Sequence, residues 1–197
     1  MTTTQEPNLD LFETIASRHS YRAFEARPVA RADVERLIDA ARRAPSAMNA
    51  QPWRFHVATG ATRTRVGEVL ERTTVYLDEY LANLAAEDQT ESAARFLTRL
   101  GGAPVVIAVS APRVIEDMEQ LNTLLSVGAA IENLQLAATA LGLGSCNITV
   151  SYWVRDDLAD VFEIGDDRYV VSVIALGYPD EDAAAPAHDA DIVSWHE

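Results

Sequence analysis

Apolar residues recur at helical spacing in four stretches and condense into short runs between them. Leu11, Phe12, Ile15 and Ala16 form a stripe between Asp10 and Ser17 that stops at Arg18. Val34, Leu37, Ile38 and Ala41 repeat the pattern with Asp33 in the first turn, and Pro45 disfavours helix in the residue ahead of it. Trp53 to Ala58 reads as a strand closed by Gly60. Residues 61–100 read as polar helix with Val66, Val69, Leu70, Leu77, Leu81 and Leu84 as its apolar face, until Gly101-Gly102-Ala103-Pro104 breaks the pattern. Val105 to Ser110 is continuously apolar, as a central strand is. Asp117 to Leu141 predicts a long helix, poor in charge in its second half and ended by Gly142 and Gly144. A helix apolar on most faces needs two neighbours, its own sheet and something else, for which a second subunit is one candidate. Ser145 to Val150 and Tyr169 to Leu176 predict further strands around a short helix, Arg155 to Phe162, and the Asp/Ala/Pro-rich tail from Pro179 to Ala190 predicts irregular chain.

Helices and strands alternate with few strict strand–helix–strand units. The fold class expected is α+β, with a mixed, mostly antiparallel central sheet surrounded by helices. The length of 197 residues suits one domain spanning 1–197, and no internal repeat divides it.

Charge narrows the function. With 30 acidic against 16 basic residues the formal net charge is −14, which repels nucleic acid and anionic lipid alike. An anion site in such a chain must be built locally, so a cluster of arginines is informative. The single Cys146 excludes an intrachain disulfide, and no Cys/His spacing resembles a metal site. Met1 to Pro7 has neither the basic nor the apolar region of a signal peptide. The most apolar stretch, Leu124 to Leu143, carries Glu132, Asn133 and Gln135 near its centre, which fits a buried helix and not a membrane span. These features together predict a soluble, cytoplasmic protein.

Three segments hold candidate chemistry. Arg18-His19-Ser20-Tyr21-Arg22 gathers two guanidiniums, an imidazole and a hydroxyl at the end of a helix, a donor set suited to phosphate; taken alone, such a segment is more often a solvated basic turn than a site. Pro45-Ser46-Ala47-Met48-Asn49-Ala50-Gln51-Pro52-Trp53-Arg54-Phe55 is a loop bracketed by prolines whose short polar groups suit the edge of a heterocycle, or a capped connection before a core Trp. Gly142-Leu143-Gly144-Ser145-Cys146 lets backbone approach a flat ring, or is simply a helix cap and a tight turn.

In order and spacing the chain resembles the FMN-dependent nitroreductase family. The matching stretches are Arg18 to Phe24, Ala44 to Trp53, Ala103 to Ile107, Gly128 to Cys146, and Gly177-Tyr178-Pro179. The resemblance implies a nitroreductase-like fold and an obligate homodimer, with the long helix at the seam and two FMN sites at the interface. It assigns Arg18, His19, Ser20, Tyr21 and Arg22 to the phosphate and ribityl chain. Pro45, Ser46, Ala47, Asn49 and Gln51 would flank the ring from the partner, and Ile148 and Thr149 would lie by the flavin N5 edge. It further implies a ping-pong cycle in which NAD(P)H reduces the flavin and a nitroaromatic, quinone or similar flat electrophile reoxidises it. The flavin N5 then carries the chemistry, and no side chain need act as acid or base.

Two positions depart from the family pattern. No Lys or Arg lies between Asp180 and Asp191, where the family completes its phosphate site, so Arg95 or Arg99 compensates or FMN is held more weakly. Val150 stands where a glycine often follows the N5-edge residue. Residues 74–100, with Tyr76, Tyr80, Arg95 and Arg99, correspond to the family's variable lid, where the tyrosines stack on a ring substrate or only cover a helix. The alternatives are a specialised flavin dehydrogenase or reductase with one small-molecule substrate, or a flavin-sequestering protein without turnover.

Overall fold

The computed structural model describes residues 10–81, 87–182, 189 and 192–196, with side chains omitted between 78 and 92. Its centre is a four-stranded sheet. β2 (Val105–Pro112) lies between β1 (Arg54–Ala58) and β4 (Arg168–Gly177), and β3 (Gly144–Ile148) pairs with the other side of β4. All three pairings are antiparallel, so β1 and β3 are the two edges. Along β2, Val106 and Ala108 enter one core while Val105, Ile107 and Val109 enter the other. A strand buried on both faces has no polar side to display, which is why this segment reads as an unbroken apolar run.

Helices cover both faces. On one lie α2 (Arg31–Ala41) and α6 (Asp117–Ala140), whose Leu37 and Leu134 are fully buried. Each such side chain contributes about 1.5–3 kcal/mol of transfer free energy. The other face carries α3 (Gly60–Glu71), α4 (Thr74–Leu81), α5 (Glu87–Arg99) and α7 (Arg155–Phe162), packed through Val66, Leu70, Leu77, Leu97 and Leu158. α1 (Leu11–Ser17) is capped by Asp10, with Glu13 returning the bond to the Asp10 N–H, and leans on α6.

The predicted helix over 61–100 is three helices. α3 ends at Glu71, and the Thr73 hydroxyl bonds the Leu70 carbonyl and turns the chain into α4. The Leu81 side chain, Leu84 and the Tyr80 side chain lie outside the described residues. α6 also differs from expectation. Its charge-poor second half is covered by α2 and the sheet, whereas the uncovered apolar residues, Met118, Leu121, Leu124 and Leu125, lie in the first half. The α1 stripe likewise faces outward: Leu11, Phe12 and Ile15 are exposed and only Thr14 is buried.

Gly142 takes φ +71, its N–H bonding Thr139 O and the Leu143 N–H bonding Ala138 O at 2.8 Å. That pair of bonds is a Schellman cap, so this glycine ends the helix. No helix among the described residues is long and apolar enough to cross a membrane. The described parts of the tail hold neither helix nor strand, and residues 183–188 lie outside them.

Candidate functional site

The Arg18–Arg22 segment leaves α1 and runs along the start of β3. The Tyr21 N–H donates to Ser145 O, Phe24 N–H to Gly101 O and Glu25 N–H to Tyr178 O. The N–H groups of Arg22 and Ala23 both donate to the Glu181 carboxylate, the second at 3.1 Å. Every backbone donor from Tyr21 to Glu25 is therefore held, which fixes the course of the backbone there. Arg18 pairs with Glu132 of α6 at 3.3 Å, and Arg22 reaches back to the Ser20 carbonyl. The Tyr21 ring packs into the core, edge-on to His19. Gly144 is needed for that ring: a β-carbon there would meet Tyr21 and Pro179 within 3 Å. At Gly144 the flat ring that approaches the backbone is the chain's own Tyr21, while nothing lies within 4 Å of a β-carbon at Gly142. Behind Ser145, the buried Gln135 of α6 donates to its hydroxyl, locking helix, strand and segment together.

The Pro45–Pro52 loop sits at the start of β1. Ser46 caps it, accepting from the Gln51 N–H, and the Gln51 amide bonds Asn49. Ala47 N–H reaches Ser126 of α6. Met48, Asn49 and Gln51 all adopt positive φ, which asparagine tolerates and which is costly for the other two, and Met48 is 98% exposed. Arg168 anchors the end of the loop, donating to Pro52 O at 2.6 Å and to both oxygens of Ser110. Ser110 also bonds His56, whose pKa is lowered by burial and then by Arg168.

At the far end of β3, Thr149, Val150, Tyr152 and Trp153 line a cleft of about 300 Å³. Tyr76 of α4 lies against Trp153, ring centroids 5.3 Å apart, and the Arg155 guanidinium stands over Tyr152. Cys146, three residues before Thr149 on the strand, is buried; desolvation pushes its thiol pKa upward, so it is a poor nucleophile.

A model of the nitroreductase family matches residues 15–178. The chain belongs to the nitroreductase family. It is 30% identical to the nitroreductase NfnB of Mycolicibacterium smegmatis, over 90% of this chain and 88% of that protein. It is 27% identical to a 4-nitrobenzoate reductase of Pseudomonas putida, over 88% and 87%. Among solved structures, the FMN and NADPH-dependent nitroreductase NfnB of Sphigopyxis sp. strain HMH superposes with a TM-score of 0.78 at 25% identity, covering 96% of this chain and 100% of that one. The α+β fold is that of the nitroreductases.

In this nitroreductase-family chain the expected site residues fall into two groups. Arg18 to Arg22, Ile148 and Thr149 lie along the β3 edge. Pro45, Ser46, Ala47, Asn49 and Gln51 lie at the β1 edge, at the end of the sheet opposite to Ser20 and Ser145 but nearly level along the strands with Ile148. Three strand spacings and five residues of β2 separate the loop from Ser20, roughly 20 Å, whereas Ile148 stands off from it mainly by the three strand spacings, roughly 15 Å. Arg95 is exposed on α5, whose end approaches Arg22 through Gly101. Sequence reasoning missed Glu132, Gln135, Glu181, Arg168 and Trp153. Most of their partners lie far away along the chain, and even the Gln135–Ser145 pair spans ten residues, so no local spacing announces them.

Proposed function

We propose that this chain is an FMN-dependent oxidoreductase that takes reducing equivalents from NAD(P)H and passes them to nitroaromatics, quinones or similar flat electrophiles. The reading carries one domain over 1–197, acting in the cytoplasm as a homodimer. Family membership supports the activity, and the split between the two edges supports the assembly. A flavin lying along β3 from Ser20 to Thr149 has its own chain's Pro45–Gln51 loop three strands away across the sheet, which supports a second subunit supplying that loop. The uncovered apolar residues of α1 and α6, with the exposed Met48, are the surface such a partner would take.

The donor set fits FMN. Arg18 and Arg22 offer guanidiniums to a phosphate dianion, and Ser20 a neutral donor, on a backbone held rigid by Ser145, Gly101 and Glu181. Ser46, Asn49 and Gln51 offer hydroxyl and amide groups to the rim of a heterocycle. FMN, when bound, supplies the hydride chemistry. The cleft walled by Val150, Tyr152 and Trp153 would admit a planar ring at the β3 end and limit its water.

Adding NADH or NADPH to the yellow protein without oxygen tests this. Bleaching, followed by recovery on adding a nitroaromatic or quinone, is the expected result. A bound flavin that stays oxidised would favour sequestration, and a protein that takes up no flavin would end the reading. Arg18→Ala is expected to weaken FMN binding at least tenfold, as loss of a charge-assisted phosphate bond should.

A further inference from the structure

The Arg18–Arg22 segment has two guanidiniums and two carboxylates against it. Glu132 holds the Arg18 Nε at 3.3 Å, on side chains that are 30% and 50% exposed for Arg18 and Glu132. Glu181 takes the Arg22 and Ala23 N–H groups. The local formal charge is therefore near zero, in a protein whose net charge is already −14. The two carboxylates act differently. Glu181 binds backbone and fixes its course, leaving the guanidiniums to other partners. Glu132 binds the guanidinium itself, the group that an anion would use.

We propose that Glu132 is the selectivity residue of this site: it is the built-in counter-ion of Arg18, which a flavin phosphate must displace, and it limits how strongly the chain prefers FMN to riboflavin. The proposal rests on the reading of Arg18–Arg22 as the phosphate site. The physical basis is simple. A guanidinium already paired gives a phosphate only the difference between two ion pairs, and the displaced carboxylate remains nearby to repel the dianion. Removing its charge while keeping its shape strengthens phosphate binding and does nothing for the neutral ribityl end of riboflavin.

The experiment titrates FMN and riboflavin separately into flavin-free, full-length protein, followed by flavin fluorescence. Wild type, Glu132→Gln, Glu132→Ala and Arg18→Ala are compared, with thermal unfolding confirming that each is folded. Glu132→Gln is expected to raise FMN affinity about two- to tenfold with riboflavin unchanged, a gain that shrinks as salt screens the carboxylate. Glu132→Ala shows the same sign, which guards against an effect peculiar to the amide. If Arg18→Ala lowers the FMN-to-riboflavin preference but both Glu132 variants leave it unchanged or lower it, Glu132 orients Arg18 instead of competing for it, and the proposal is overturned while the site stands. If Arg18→Ala leaves the preference unchanged, the phosphate lies elsewhere, and the site reading falls together with the proposal.

Discussion

Gly101 lies so close to Arg22 that a β-carbon at position 101 would stand 2.0 Å from the Arg22 carbonyl oxygen. The same residue accepts the Phe24 N–H through its own carbonyl and holds φ at +60°. The end of the lid region is thereby coupled to the candidate phosphate segment.

Gly101→Ala is accordingly expected to push the Arg18–Phe24 segment off its course. The strained φ alone costs about 1–3 kcal/mol, and the clash adds to it. Thermal unfolding should show the loss of stability. FMN titration of the protein that still folds should show weakened binding. Unchanged values for both would mean that the segment has room to move aside.

Arg168→Leu should loosen the Pro45–Pro52 loop from the sheet. The Pro52 and Ser110 carbonyls lose a charged donor, and leaving such groups unmet costs about 1–3 kcal/mol. Urea denaturation measures the stability change. Limited proteolysis around Met48, already exposed, should accelerate. A variant as stable and as resistant as wild type would show that water replaces the guanidinium.

His56 predicts acid sensitivity. Burial, and then Arg168, hold its pKa below 6.5. The unfolded chain thus binds the proton first, so the contribution of neutral His56 is complete above about pH 6.5 and is lost as pH falls from there through the folded pKa. The slope is at most about 1.4 kcal/mol per pH unit, and less here because the residue is only partly buried. Melting temperatures between pH 7.5 and 5.5 should fall less for His56→Gln than for wild type. Equal falls would assign the acid loss to other groups.

The exposed stripe of α1 gives a direct test of assembly. Phe12→Glu, at a position 79% exposed, is expected to cost little in an isolated chain and to weaken a dimer. Sedimentation of wild type should give twice the chain mass, with Phe12→Glu shifted toward monomer and poorer in bound flavin. A wild-type monomer carrying flavin would refute the assembly.

Much of the fold was legible because its signals are local. The unbroken run of β2, the α2 periodicity and the proline after α2 each act within a few residues. The break at Thr73 escaped notice because no glycine or proline marks it; a hydroxyl bonding the Leu70 carbonyl does the work. α6 misled for a different reason. Composition along a helix says how much apolar surface it has, while the location of α2 decides which half is covered. At the site, the Arg18–Arg22 cluster and the proline-bracketed loop were visible as residue types. Glu132 and Glu181 were not, since a carboxylate 114 or 159 positions away along the chain carries no sign of its partner. Gly144 was legible as a close approach but not as to what approaches, and the answer is Tyr21.

The separation of the two loops to opposite corners of the sheet has a consequence for inheritance of damage. In a dimer built as proposed, each chain donates one half to each of two pockets. Co-expressing an Arg18 variant with a variant of the Ser46–Gln51 loop yields mixed pairs in which one pocket collects both lesions and the other collects neither. Each mixed pair would then carry one working pocket of its two, although neither gene alone yields any.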